Sequence, residues 1–190
     1  VARILKLGYP GGPAITKITE SGIRNLRTKA SVVRGRQESG IKIKLPRPML
    51  HAKNYDFSFS GLKTAVLYLV RDLMKKHSLA KIRPAIAREF EQAVVDVLVA
   101  KTLRAAQEFK IKTITLGGGV SANKLLRKTL KSALRRELPE AECWMPDAAL
   151  AGDNALMIAL AAYFSGKKIS WTEVRADANA TLSQSVTLKE

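Results

Sequence analysis

Apolar positions recur along this chain at two spacings, and each predicts a kind of element. Leu62, Ala65, Val66, Leu69, Val70 and Leu73 repeat every three to four residues. That spacing lines one face of a helix, which Ser60 is expected to cap. A longer helix should run to about Phe109, with Pro84 in its first turn, where the missing N–H costs nothing. Its stripe of Ile86, Phe90, Val94, Val97 and Leu98, widened by Val95 and Val99, predicts packing on more than one side. Tyr55-Asp56-Phe57-Ser58-Phe59-Ser60 alternates with period two instead, the pattern of a strand with one buried face.

The rest of the chain is read with the same two periods. Val1, Ile4 and Leu5 suggest the end of a helix stopped by Gly8. Tyr9-Pro10-Gly11-Gly12-Pro13 is expected to form a turn, followed by a short helix from about Ala14 to Gly22. Residues 23–53 are basic and broken by Gly35, Gly40, Pro46 and Pro48, which predicts a loop-rich insertion. In the last third, Thr113–Leu116 reads as a strand and Gly117–Gly119 as a loop. A helix capped by Ser121 follows, carried by Leu125, Leu126, Leu130 and Leu134. A second strand near Glu142–Met145 leads to a helix from Asp153 that ends at Gly166, with Leu156, Met157, Leu160 and Phe164 toward a core. Strand, helix and strand in succession predict a βαβ-like unit and an α/β fold.

Composition narrows the class. A chain of 190 residues that is 46% hydrophobic can bury a core of its own. No apolar run is long enough to cross a bilayer, and the basic start Val-Ala-Arg-Ile-Leu-Lys-Leu does not read as a signal peptide. No membrane partner is expected. That start lacks both an initiator Met and a capping residue, so a piece of a longer protein is expected. The single cysteine, Cys143, cannot close an internal disulfide and lies in an apolar run, which predicts packing and a cytoplasmic setting.

Charge changes the picture more. Thirty-three Lys and Arg against sixteen Asp and Glu leave +17, with a pI near 10.3. Such an excess draws polyanions, so a nucleic acid or an acidic partner is expected. Arg24 to Lys53 is the candidate for contacting a phosphate backbone, the other reading being a solvated loop.

Two segments could carry chemistry. Leu116-Gly117-Gly118-Gly119-Val120-Ser121-Ala122-Asn123 joins a strand to a helix. Glycines there admit a ligand to the backbone, and the helix start favours an anion. Asn123 offers a donor and an acceptor for a ribose or base edge. Tight packing of the turn is the competing account. Asp153, at the start of the last helix, is either an N-cap or a metal ligand. His51 and His77 show no ligand spacing with each other or with Asp153.

Five blocks then occur in order: Leu7-Gly8-Tyr9-Pro10-Gly11-Gly12-Pro13, Pro46-Arg47-Pro48-Met49, Asp56 to Thr64, Gly118 to Asn123, and Asp153 to Ala159. Together they resemble the tRNA adenosine threonylcarbamoyltransferase family, formerly described as O-sialoglycoprotein endopeptidases, over residues 1 to about 165. The resemblance implies an actin-like ATPase fold (ASKHA, ribonuclease H-like), of which this chain would be mainly one lobe of two. It implies transfer of a threonylcarbamoyl group from threonylcarbamoyl-AMP to the exocyclic amine of an adenosine beside the tRNA anticodon. It also implies ATP or threonylcarbamoyl-AMP as bound nucleotide, one divalent metal (iron or zinc), and tRNA and helper proteins of the threonylcarbamoylation complex as partners. By position, Gly12, Gly118, Gly119 and Asn123 match nucleotide contacts, and Asp153 matches the metal-binding aspartate. Asn123 and Asp153 would then serve one adenine-nucleotide cleft.

There are departures from the family pattern. Its His-x-x-x-His metal pair, its first glycine-rich phosphate loop and an acidic ribose contact belong to an N-terminal half that this sequence does not contain. Gly152 stands where Thr is frequent, and the basic stretch from Arg24 to Gly40 is longer than usual. Two rival functions remain at this point: a non-catalytic module that binds tRNA or a partner, and an O-carbamoyltransferase or sugar kinase of the same superfamily. The Asp56–Thr64 block and Met157-Ile158-Ala159 argue against the latter.

Overall fold

One long helix organises the first of two units. The computed structural model describes residues 1–29, 43–166, 168, 170–173 and 175, and it divides into Val1–Gly152 and Asp153–Glu190. Five helices carry most of the described chain: α1 (Gly11–Lys29), α2 (Ser60–Leu73), α3 (Leu79–Glu108), α4 (Lys124–Glu137) and α5 (Ala155–Ser165). Two short strands, β1 (Thr113–Thr115) and β2 (Glu142–Trp144), pair in parallel with Ile114 opposite Cys143. The β1–α4–β2 crossover is the βαβ unit expected, set in a structure that is mainly helical.

The breadth of the apolar stripe on α3 has its predicted consequence, because α1, α2 and α4 all pack against it. Its N-terminal part joins Leu5, Ile15, Leu62, Val66 and Val70 in one core through Ile82, Ile86 and Ala87. Its C-terminal part joins Leu126, Leu130 and Leu134 in a second through Val95, Val99 and Leu103. The helix starts at Leu79, earlier than predicted, so Pro84 sits inside it rather than in its first turn. Packing on three sides holds a helix that loses one backbone bond there.

Several local expectations are corrected. Gly22 does not end α1, which runs on to Lys29 and takes in Gly11, Gly12 and Pro13 as its first turn. N–H groups of a first turn have no intrahelical partner, so proline is tolerated there, and one interior glycine costs only about 1 kcal/mol. Residues 23–29 are therefore helical, residues 43–53 form a loop, and residues 30–42 of the basic insertion lie outside the described residues. The first turn of the chain ends on Lys6, not Gly8. Lys6 takes φ 52°, while Leu7 N–H donates to the Ala2 carbonyl at 2.9 Å and Lys6 N–H to Arg3 at 3.1 Å. That bond pair is a Schellman stop, with a lysine where glycine is usual.

The period-two segment is not a strand. Residues 55–59 are irregular, and the carbonyls of Asn54 and Asp56 go to side chains of α3. Lys101 Nζ donates to the carbonyls of Asn54 (3.2 Å) and Asp56, and Arg104 Nη2 donates to Asn54 (2.7 Å). Side-chain donors from a helix here replace the ladder a strand needs. Ser60 is the first residue of α2, not its cap, because Phe59 holds the cap position without a side-chain bond. In the second unit Gly166 ends α5 in the left-handed region at φ 63°, as predicted. Leu156, Met157, Leu160 and Phe164 are exposed rather than facing a core, since no residue of α5 is buried.

Candidate functional site

Ligands of parallel α/β sheets gather at the carboxyl ends of the strands, and here β1 leads through Leu116 into Gly117-Gly118-Gly119. Gly118 takes φ 74°, which excludes most side chains. Gly117 and Gly119 keep ordinary backbones, and a Cβ on either would meet nothing within 4 Å. Folding does not demand glycine at those two positions. Among the described residues no acceptor takes the N–H groups of Gly117, Gly118 or Gly119, all of which are exposed. A single 3-10 turn, Gly119–Ala122, then leads into α4. Ser121, expected as the helix cap, lies inside that turn, fully buried, with its Oγ unpartnered among the described residues.

Asn123 is the cap instead. Its Oδ1 accepts from Leu126 N–H at 2.8 Å, and its Nδ2 donates to Glu91 Oε1 at 2.6 Å and to Thr16 Oγ1 at 3.3 Å. Thr16 in turn donates to the same Glu91 oxygen at 2.8 Å. The amide of Asn123 is thus engaged within the chain at both ends. Thr16 stands one turn after Gly12, so the network joins the first turn of α1 to the glycine turn before α4. Lys124 and Glu20, paired at 2.9 Å, make a second tie between the same helices. Like Gly119, Gly12 has nothing within 4 Å of where a Cβ would stand.

Glu91 and Thr16 were not singled out from the sequence. Glu91 is 6% exposed and sits at the junction of the two cores. The available signal was its place four residues after Ala87 and four before Val95, both buried. A charge on the buried stripe of a helix needs a partner, and that requirement points to a built network. Lys101, 1% exposed, carries the same signal four residues after Val97.

The other face of α4 is cationic. Lys128, Lys131 and Arg135 fall at i, i+3 and i+7, are exposed, and make no ion pair among the described residues. Leu126, Leu130 and Leu134 occupy the buried side. Arg47, from the Pro46–Met49 block, is held against α3 by Glu89 and by Asp96 at 2.9 Å. An open groove of about 810 Å³ lies beside that loop, lined among others by Leu45, His51, Leu103 and Ala133. It contains neither glycine turn. Burial raises the thiol of Cys143, with Lys131 opposing weakly, which fits its place in the second core.

Asp153 belongs to the second unit and is described by itself. It is exposed and does not cap α5, because Asn154 Oδ1 accepts Met157 N–H at 2.8 Å. The capping account of Asp153 is therefore corrected in favour of its neighbour, which holds the cap position of α5. Among the described residues no three His, Cys, Asp or Glu side chains stand together as a metal would require. A single carboxylate does not fit a tightly held metal.

Fold and site together define an α/β protein with an open glycine turn at the end of a parallel strand, tied to a second glycine turn. The family model for TsaD, tRNA N6-adenosine threonylcarbamoyltransferase, matches residues 1–160. A tRNA N6-adenosine threonylcarbamoyltransferase of Thermosipho africanus is 43% identical over 168 residues, which is 88% of this chain and 44% of the relative. Another, of Burkholderia thailandensis, is 43% identical over 84% of this chain and 42% of its own length. The chain belongs to the tRNA N6-adenosine threonylcarbamoyltransferase family. It spans less than half the length of the curated relatives it matches.

Proposed function

We propose that this chain is the nucleotide-binding, C-terminal part of an actin-like ATPase fold whose whole protein transfers a threonylcarbamoyl group to tRNA. In that reaction the exocyclic amine of an adenosine attacks the carbamoyl carbon of threonylcarbamoyl-AMP. The new C–N bond forms as the C–O bond to the phosphate breaks, AMP leaves, and the amine gives up a proton. The observation that carries the reading is the family match over residues 1–160. The open glycines add to it: Gly12 and Gly119 have no close neighbour that would explain the lack of a side chain. Space above a bare backbone, beside N–H groups of Gly118 and Gly119 that no acceptor takes among the described residues, suits a phosphate.

Asn123, whose amide is held by Glu91, Thr16 and Leu126, acts in this reading chiefly by fixing the turn. The cationic ridge Lys128–Lys131–Arg135 supports a polyanionic partner, for which tRNA is proposed. Helper proteins of the threonylcarbamoylation complex are proposed on family grounds alone. Asp153 is proposed to contribute one ligand to an iron or zinc ion completed by histidines outside this sequence. No helix among the described residues is long and apolar enough to cross a membrane, and a cytoplasmic setting is proposed.

The test is a titration of the chain with a fluorescent ATP analogue. Gly119→Val adds a side chain into space that no described residue fills, so folding should be preserved while affinity falls at least about tenfold. Equal affinity in Gly119→Val and the unaltered chain removes the glycine turn from the nucleotide site.

A further inference from the structure

Glu91 is a buried acid, yet both of its hydrogen-bond partners among the described residues lie beside a glycine turn. Thr16 donates to Oε1 from α1, one turn after Gly12 (2.8 Å), and Asn123 donates to the same oxygen from the cap of α4 (2.6 Å). Three elements distant in sequence therefore meet on one carboxylate oxygen. Burying a carboxylate costs free energy that an apolar residue of similar size would not. Neither core requires the charge, since Ala87, Ala93 and Val95 around it are apolar.

We propose that Glu91 is a positioning residue, setting the first turn of α1 and the Gly117–Asn123 turn at a fixed separation so that both act on one adenine nucleotide. This inference rests on the proposed nucleotide reading. Small displacements between groups that share a ligand cost binding steeply, because both must be satisfied at once. An acidic side chain suits the task because it only accepts: one oxygen takes a hydroxyl and an amide donor together, and neither donor can rotate to another role without leaving a buried charge unpaired.

The experiment uses the full chain, a fluorescent ATP analogue, far-UV circular dichroism and amide NMR. Glu91→Gln keeps an oxygen that accepts both bonds and should bind within about twofold of the unaltered chain. Glu91→Leu keeps the volume but accepts nothing, and should bind about tenfold more weakly with its helix content retained. Its NMR signature should be distinctive. In the unaltered chain the Gly12 and Gly119 amides both shift on titration, and in Glu91→Leu one of the two shifts is reduced at saturation.

Unweakened binding by Glu91→Leu overturns the inference and leaves the nucleotide reading intact. Failure of the unaltered chain to bind the analogue overturns both. If Glu91→Leu does not fold, Thr16→Val decides: a several-fold loss supports the positioning role, and unchanged affinity overturns it.

Discussion

Replacing Asn123 with alanine should cost the fold about 3 kcal/mol, a sum that can be taken apart. The cap bond to Leu126 N–H at 2.8 Å is lost, and losing an N-cap costs about 1 kcal/mol. The bond to the Glu91 carboxylate at 2.6 Å is lost as well, and a hydrogen bond to a charged group contributes about 1.5–3 kcal/mol. The contact to Thr16, at 3.3 Å between neutral groups, adds little. Urea unfolding followed by circular dichroism would register the change as a midpoint lowered by about 1–2 M, for a slope of roughly 2 kcal/mol per molar. The decisive measurement is the double-mutant cycle with Glu91→Leu. Without the carboxylate, Asn123→Ala should cost only the cap, so the coupling between the two sites should be about 2 kcal/mol. Additivity within about 0.5 kcal/mol would refute the reasoning, since it would mean the amide and the carboxylate do not support each other in the folded chain.

Three further outcomes are expected. Burial raises the thiol of Cys143, so its thiolate forms only at higher pH than a free cysteine's; alkylation by iodoacetamide should rise with pH later than in a model peptide, and an earlier rise contradicts the burial. Lys128→Glu, Lys131→Glu and Arg135→Glu together should weaken binding to a tRNA and flatten its salt dependence by about 0.9 per phosphate contact removed, in a filter assay at several salt concentrations; an unchanged salt slope takes the ridge out of the RNA contact. The purified 190-residue chain should transfer no threonylcarbamoyl group to tRNA and hold no stoichiometric iron or zinc by elemental analysis, because one carboxylate, Asp153, is too few ligands; turnover by this chain alone contradicts that.

Much of the fold was legible in the sequence where apolar residues repeat over several turns. Helices α2, α3 and α4 and the β1–α4–β2 crossover follow from such repeats, because burying a face is what fixes these elements. Termini were less legible. Ser60, Ser121 and Asp153 are each good caps by residue type, yet the caps are Phe59, Asn123 and Asn154. Which of several adjacent polar residues turns its oxygen toward the helix depends on the incoming chain, not on propensity. The segment 55–59 failed for a different reason: alternation reports which side chains face inward, but Lys101 and Arg104 take the carbonyls of Asn54 and Asp56 without any second strand. At the candidate site, Gly12, Gly118, Gly119 and Asn123 were legible as turn residues. Glu91, which links them, was hidden in a stripe of hydrophobic residues 75 positions from Thr16.

Helix α3, about 45 Å long at 1.5 Å per residue, belongs to both hydrophobic clusters. Neither cluster can open while it remains wound, and it cannot unwind without breaking both. Amide protons from Ile86 to Leu103 should therefore exchange with solvent only through complete unfolding, and share one protection factor along their whole length. Destabilising either end of the molecule should accelerate exchange at the other, as in a beam clamped at two points.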